Sequence, residues 1–227
     1  PCIMMYMRGL PYSKGGRVLS LVFLVSLLLL PALVFSEEGA PGGKGNAGAI
    51  ENDLGRDFML RFLMAEDADA IDREIRMLAE REEATEADSA EGARVRYALG
   101  ILHVYRHLRL DERDDAFRAK DFLEAAEERF GGSYYHRAHL GMAHAFIAKI
   151  RRVFGVSNLK EMRAKMASIP DDHPDWLLRF LRGTTLVEVG SALPGIFSMK
   201  EIKEEAVKAG SADLEYVLAR HRESSVE

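Results

Sequence analysis

The chain has 227 residues, 48% hydrophobic and 30% charged, a balance that supports a buried core and excludes a low-complexity or wholly disordered polymer. Its 31 basic and 36 acidic side chains leave a formal charge of −5, which excludes nucleic-acid binding by phosphate neutralisation. The single cysteine, Cys2, excludes an intrachain disulfide and a cysteine-rich zinc site.

The first 36 residues differ from the rest. Arg8, Lys14 and Arg17 precede Val18–Leu30, an apolar run broken only by two serines, and no charged residue lies between Arg17 and Glu37. Pro31 and then Ala32–Ser36 follow. A basic start, an apolar middle and small residues at the end predict a secretory signal peptide over residues 1–36, with Val34 and Ser36 at the −3 and −1 positions of a cut before Glu37. The alternative is an uncleaved inner-membrane anchor over residues 18–35, close to the ~20 residues that span a bilayer. Either way the protein is expected to be exported, to the periplasm or beyond, touching membrane only through this segment. Met7 reads as the natural start, which leaves Cys2 upstream of it. Removing residues 1–36 takes away three basic and no acidic side chains, so −5 becomes −8, a surface repelled by anionic lipid and nucleic acid. Residues 37–49 (EEGAPGGKGNAGA) carry no large apolar side chain and read as a flexible linker. Within it, Gly42-Gly43-Lys44 lacks the spacing of a phosphate loop.

Residues 50–227 are expected to form one helical domain. Apolar residues recur at helical spacing: Leu54, Phe58, Met59 and Phe62; Ile71, Ile75 and Leu78; Tyr97, Ile101, Val104 and Leu108; Phe117, Phe122, Ala125 and Ala126, stopped by Gly131-Gly132. Asn158 with Glu161, and Ser198 with Glu201, fit capping boxes opening two later helices. Pro174 suits a first helical turn capped by Asp172 or His173. Gly210 is expected to divide the last region into two short helices.

An internal repeat organises these helices. Arg96, Leu99, Gly100 and His103 recur 41 positions later as Arg137, Leu140, Gly141 and His144. Arg179 and Gly183 repeat the frame 42 positions further on, with Arg182 replacing Leu. A fixed period of this size with two helices per unit predicts a helical solenoid. The glycine lets the two helices of a hairpin approach at their crossing. The recurring arginines are expected to pair with acids of a neighbouring helix, such as Asp121 or Glu124.

The Leu-Gly pairs at 99–100 and 140–141, and the small-large-small set Ala119, Leu123 and Ala126, resemble the tetratricopeptide repeat. Trp176 and Gly183 suggest a third, degenerate unit. The resemblance covers about residues 90–220, and the period exceeds the roughly 34 residues of that family. It implies an all-α fold of antiparallel helix hairpins stacked as a short right-handed solenoid. It also implies a role as an adaptor binding a protein or peptide in the cell envelope. Carried over by the glycine frame, its groove positions are Arg94, Tyr97, Ile101 and Tyr105, then Tyr135, Ala138, Met142 and Phe146, then Leu177, Phe180, Thr184 and Glu188. Each could instead be core. His103 and His144 fall where that family packs an aromatic residue.

The histidines are the candidates for chemistry. His103 and His107 lie four apart on one face, and with His144 they could ligate a metal. No H-E-x-x-H motif accompanies them, and packing is the competing reading. Charged runs such as Glu80–Glu83 and Asp111–Asp115 read as solvated faces. No nucleophile elbow occurs. The chain therefore reads as a non-enzyme without a cofactor. A small-molecule or lipid-binding accessory of transport, and a histidine-dependent metalloprotein, are the other classes considered.

Overall fold

The computed structural model describes residues 55–60, 68–86, 88–151, 155–192 and 197–224. The expected signal peptide at residues 1–36 and the linker at 37–49 lie outside these. The described residues are all-α, with no strand among them. A helical stretch at residues 55–60 is followed by α1 (Ala68–Glu83), α2 (Ala90–Leu110), α3 (Arg113–Ala125), the single turn α4 (Glu127–Phe130), α5 (Tyr134–Arg151), α6 (Val156–Ala167), α7 (Trp176–Ala192) and α8 (Phe197–Ser224). Among the described residues no helix is long and apolar enough to cross a membrane.

Local signals set the helix ends. Ser89 caps α2 by accepting the Gly92 N–H at 2.9 Å. Asp111 ends it in the left-handed region at φ 54°, where its N–H reaches the His107 carbonyl. Asp175 caps α7, its Oδ1 accepting the N–H groups of Leu177 and Leu178. Pro174 and its expected capping residues therefore stand before the helix rather than in its first turn. Asn158 lies inside α6 with its side chain turned to His144, so it caps nothing. Ser198 likewise falls within α8. The helix α8 runs through Gly210 without a break, against the expected division.

Consecutive helices pair antiparallel. In α2/α3, His103 meets Asp115 and Gly100 meets Leu123. In α5/α6, His144 meets Asn158 and Gly141 meets Met166. In α7/α8, Gly190 meets Val207 and Arg179 meets Asp213. α1 runs antiparallel to α2 in the same way, through Arg106 to Asp72 and Arg81 to Glu91. Each pair then leans on the next: α5 packs on α2, α3 and α7. Ion pairs join the other helices of successive pairs, Lys165 to Glu127 of α4 and Arg163 to Glu205 of α8.

The repeat glycines sit at the hairpin crossings. A methyl group on Gly100 would lie 2.6 Å from Leu123 Cγ and 3.2 Å from Leu123 N. One on Gly183 would lie 2.9 Å from Asp213 Cβ and 3.0 Å from the Gly210 carbonyl oxygen. One on Gly141 would meet only the tip of Met166, at 2.8 Å. The contact face of α3 is correspondingly small: Ala116, Ala119 and Ala126 are buried around Leu123. Of the expected stripe only Ala126 is buried; Phe117 and Phe122 are half-buried and Ala125 is exposed, so those three mark the flank of the contact.

The backbone and Leu123 facing position 100 cannot yield as the Met166 tip can. Gly100→Ala is therefore expected to destabilise by about 1–3 kcal/mol, outweighing the ~1 kcal/mol helix gain of alanine. Gly183→Ala should behave alike and Gly141→Ala should cost less. Gly132→Ala, with nothing within 4 Å, is the neutral control. Urea unfolding of the four variants checks the order, and a stabilised Gly100→Ala would contradict it.

Candidate functional site

The face of α2, α5 and α7 expected to form an open apolar groove is closed. Tyr97, Ile101, Tyr105, Tyr135, Ala138, Met142, Phe146, Leu177 and Phe180 are all buried, so the face is filled in this structure. Thr184 is half-buried and bonded back to the Phe180 carbonyl. Glu188 is half-buried and paired with Lys149. Only Arg94 of this set is exposed. The repeat residues Leu99, Gly100, His103, Leu140, Gly141, His144 and Gly183 are also interior.

The cause is local packing. Tyr97 stacks on Phe130 at 4.7 Å, and Phe146 lies 4.5 Å from the His107 ring. The stretch at residues 55–60 covers the Tyr97–Tyr135 end. A Cβ on Gly55 would come 2.5 Å from Tyr97 Oη and 2.7 Å from Tyr135 Cβ, and Met59 is 0% exposed.

The histidines are spent on packing and hydrogen bonds rather than gathered round an ion. His103 Nδ1 donates to Asp115 Oδ1 at 2.8 Å, and its ring stacks on Phe122. His107 Nδ1 donates to the Glu112 carbonyl at 2.8 Å, clamping the α2–α3 turn. His144 Nδ1 donates to Asn158 Oδ1 at 3.1 Å. The i, i+4 histidines thus face different partners. Among the described residues no group of three His, Cys, Asp or Glu side chains is placed to hold a metal.

His139 and His136 form the deepest polar chain. His139 Nδ1 faces the Tyr135 carbonyl at 2.7 Å, which only accepts, so Nδ1 carries the proton. Its Nε2 must then accept from Tyr105 Oη at 3.0 Å. Tyr135 Oη donates in turn to Asp175 Oδ2 at 2.8 Å, tying α5 to the cap of α7. Burial pushes His139 down to about 4, against the raising effect of its bond to the Tyr135 carbonyl. Burial also lowers His136, whose Nε2–H donates to the Leu123 carbonyl at 2.9 Å and whose Nδ1 has no hydrogen-bond partner. Burial raises Tyr105 and Tyr135, so both stay neutral donors.

Two carboxylates missed in the sequence anchor the interior. Asp115, expected in a solvated run, is buried between His103 and Arg106, and Arg106 also reaches Asp72 on α1. Burial raises its affinity for a proton, but bonds from His103 and Arg106 outweigh this and hold it below the usual carboxylate range. Asp213 is 0% exposed and accepts from Arg179 Nε at 2.9 Å and from Arg182 Nε and Nη2 at 2.6 and 2.7 Å. Arg179 also lies 3.9 Å over the Tyr216 ring. The other repeat arginines pair elsewhere than Asp121 or Glu124: Arg96 Nε donates to the Gly92 carbonyl at 3.2 Å and lies 3.9 Å from Glu82 Oε1 on α1, and Arg137 Nε donates to the Gly131 carbonyl.

No family model, no curated protein and no solved structure matches this chain.

Removing one partner of a buried ion cluster strands the other charges. Asp213→Ala is expected to cost about 3–5 kcal/mol, read as a lowered midpoint in urea. Retention of the wild-type midpoint would contradict the cluster. The histidine chain gives a pH dependence. Free histidine takes its proton near pH ~6.5 and folded His139 near 4, so the unfolded state binds more protons between these values. Its contribution is present above pH ~6.5 and lost as the pH falls to 4, on the order of 3 kcal/mol. His136 and His144 add the same sign. His139→Gln, whose carbonyl can still accept from Tyr105, should flatten the slope of urea midpoint against pH from 4.5 to 6.5. Equal slopes in both proteins would refute it.

Proposed function

We propose that this chain is an exported, tetratricopeptide-like repeat protein that binds a helical segment of another cell-envelope protein. The observation that carries the reading is the helix at residues 55–60 seated on Tyr97 and Tyr135, at the positions that the repeat frame assigns to recognition. A face that accommodates one helix has the shape for helix-in-groove binding. The three antiparallel hairpins with a repeat glycine at each crossing support a short solenoid. The basic and apolar leader supports export. The far side of α8 carries exposed Glu201, Glu204 and Glu215, the polar face that a terminal repeat needs.

Arg94 is exposed on α2, three residues before Tyr97. A photo-reactive residue placed there in the full chain, expressed in its own cells, is expected to link to one envelope protein. The same group in place of Glu204, on the far side of α8, should not. N-terminal sequencing of the exported protein should begin at Glu37. Matching adducts at both positions, or none at 94, would overturn the adaptor reading.

A further inference from the structure

The contact at residues 55–60 has the form of a ligand rather than of a repeat helix. We propose that residues 55–60 are an in-cis ligand of the Tyr97–Tyr135 face, and that a partner helix with a small residue followed four positions later by a flexible apolar one binds by displacing them. This rests on reading that face as the binding surface.

Three observations meet here. Gly55 and Met59 are four apart, so they share one side of the helix. At Gly55 the fit excludes even a methyl group, since a Cβ would overlap both Tyr97 Oη and Tyr135 Cβ. At Met59 the side chain is wholly enclosed. Phe58 and Leu60 pack partly buried beside them, so the closest fit is at the small residue and the deepest burial at the methionine. Arg56 adds charge: it bears electrostatically on the Tyr135 hydroxyl, which is bonded to Asp175. The face itself stays intact without the segment, because Tyr97 is braced by Phe130, Tyr135 by Asp175 and His139 by Tyr105.

Two measurements on the full chain decide this. In wild-type protein, amide hydrogens of residues 55–60 are expected to exchange at least ~100-fold faster than those of Leu140–Ile147 in α5, because displacement is a local opening. Equal rates would mean that the segment leaves only on global unfolding, and the proposal would fail. The second probe is a labelled synthetic peptide of residues 50–67. It should bind full-length Gly55→Val protein at least ~10-fold more tightly than wild type, in which the face is occupied. A peptide carrying the same Gly55→Val change should bind neither. Met59→Ser offers the same opening without a clash, should Gly55→Val disturb the fold. Equal binding to wild type and variants, or no binding to folded variants, overturns the proposal. Because the peptide is the chain's own, such a failure leaves the envelope reading standing. A positive peptide result without adducts at position 94 removes the envelope reading alone.

Discussion

A methyl group at position 100 would sit 2.6 Å from Leu123 Cγ, and one at position 183 would sit 2.9 Å from Asp213 Cβ. Atoms do not approach so closely, so the spacing within these hairpins exists only because the first helix lacks a side chain at the crossing. Glycine weakens each helix by ~1 kcal/mol. The close approach offsets that cost by bringing the faces of both helices into contact. The remaining architecture depends on the spacing. Ala119 and Ala126 fit under α2, the His103–Asp115 and His144–Asn158 bonds span their gaps directly, and α5 can be enclosed by α2, α3, α6 and α7.

Spacing alone does not fix how far one helix slides along the other. In the first two hairpins that task falls to a histidine three residues after the glycine, bonded to a polar residue near the start of the second helix. Shifting either helix by a turn would strand a buried donor or acceptor at a cost of about 1–3 kcal/mol. The third hairpin solves the problem differently. Leu186 occupies the histidine's place, and the polar pair moves to Arg179, Arg182 and Asp213. There the atom facing the missing Cβ of Gly183 belongs to Asp213 itself. Space and charge are thus coupled at one point: the gap left by the glycine admits the carboxylate that both arginines require. Gly210, facing Gly183 across the same gap, is for this reason a packing residue in an unbroken helix and not a breaker.

These facts explain which parts of the sequence were legible. Paired helices, the glycine frame and the Ala119–Leu123–Ala126 pattern follow from periodicity, which is local. The exact buried side of α3 did not. Where helices are drawn together by glycine the contact face is made of alanine, so the largest apolar residues, Phe117 and Phe122, stand at its flanks and dominate the stripe. Asp115 was hidden for a complementary reason. It lies in a run of charges whose other members are exposed, and only the partner residues His103 and Arg106 on another helix distinguish it. Asp213 pairs with arginines more than 30 positions earlier, a separation at which no sequence pattern links them. The aromatic set on the first helices was legible as a stripe, but whether a stripe lines a groove or a core depends on what covers it.

For Tyr97 and Tyr135 the cover is a segment with an unusual balance of interactions. Met59 is wholly buried, Phe58 and Leu60 are partly buried against the core, and the glycine contact adds close packing but no large area. The core beneath is held by α5, whose Tyr135–Ile147 run is enclosed on nearly every side. The two layers therefore differ in kind. The inner one sets the shape of the face through buried bonds that link successive hairpins. The outer one meets that shape most closely at Gly55 and most deeply at Met59, with Phe58 and Leu60 partly buried beside them.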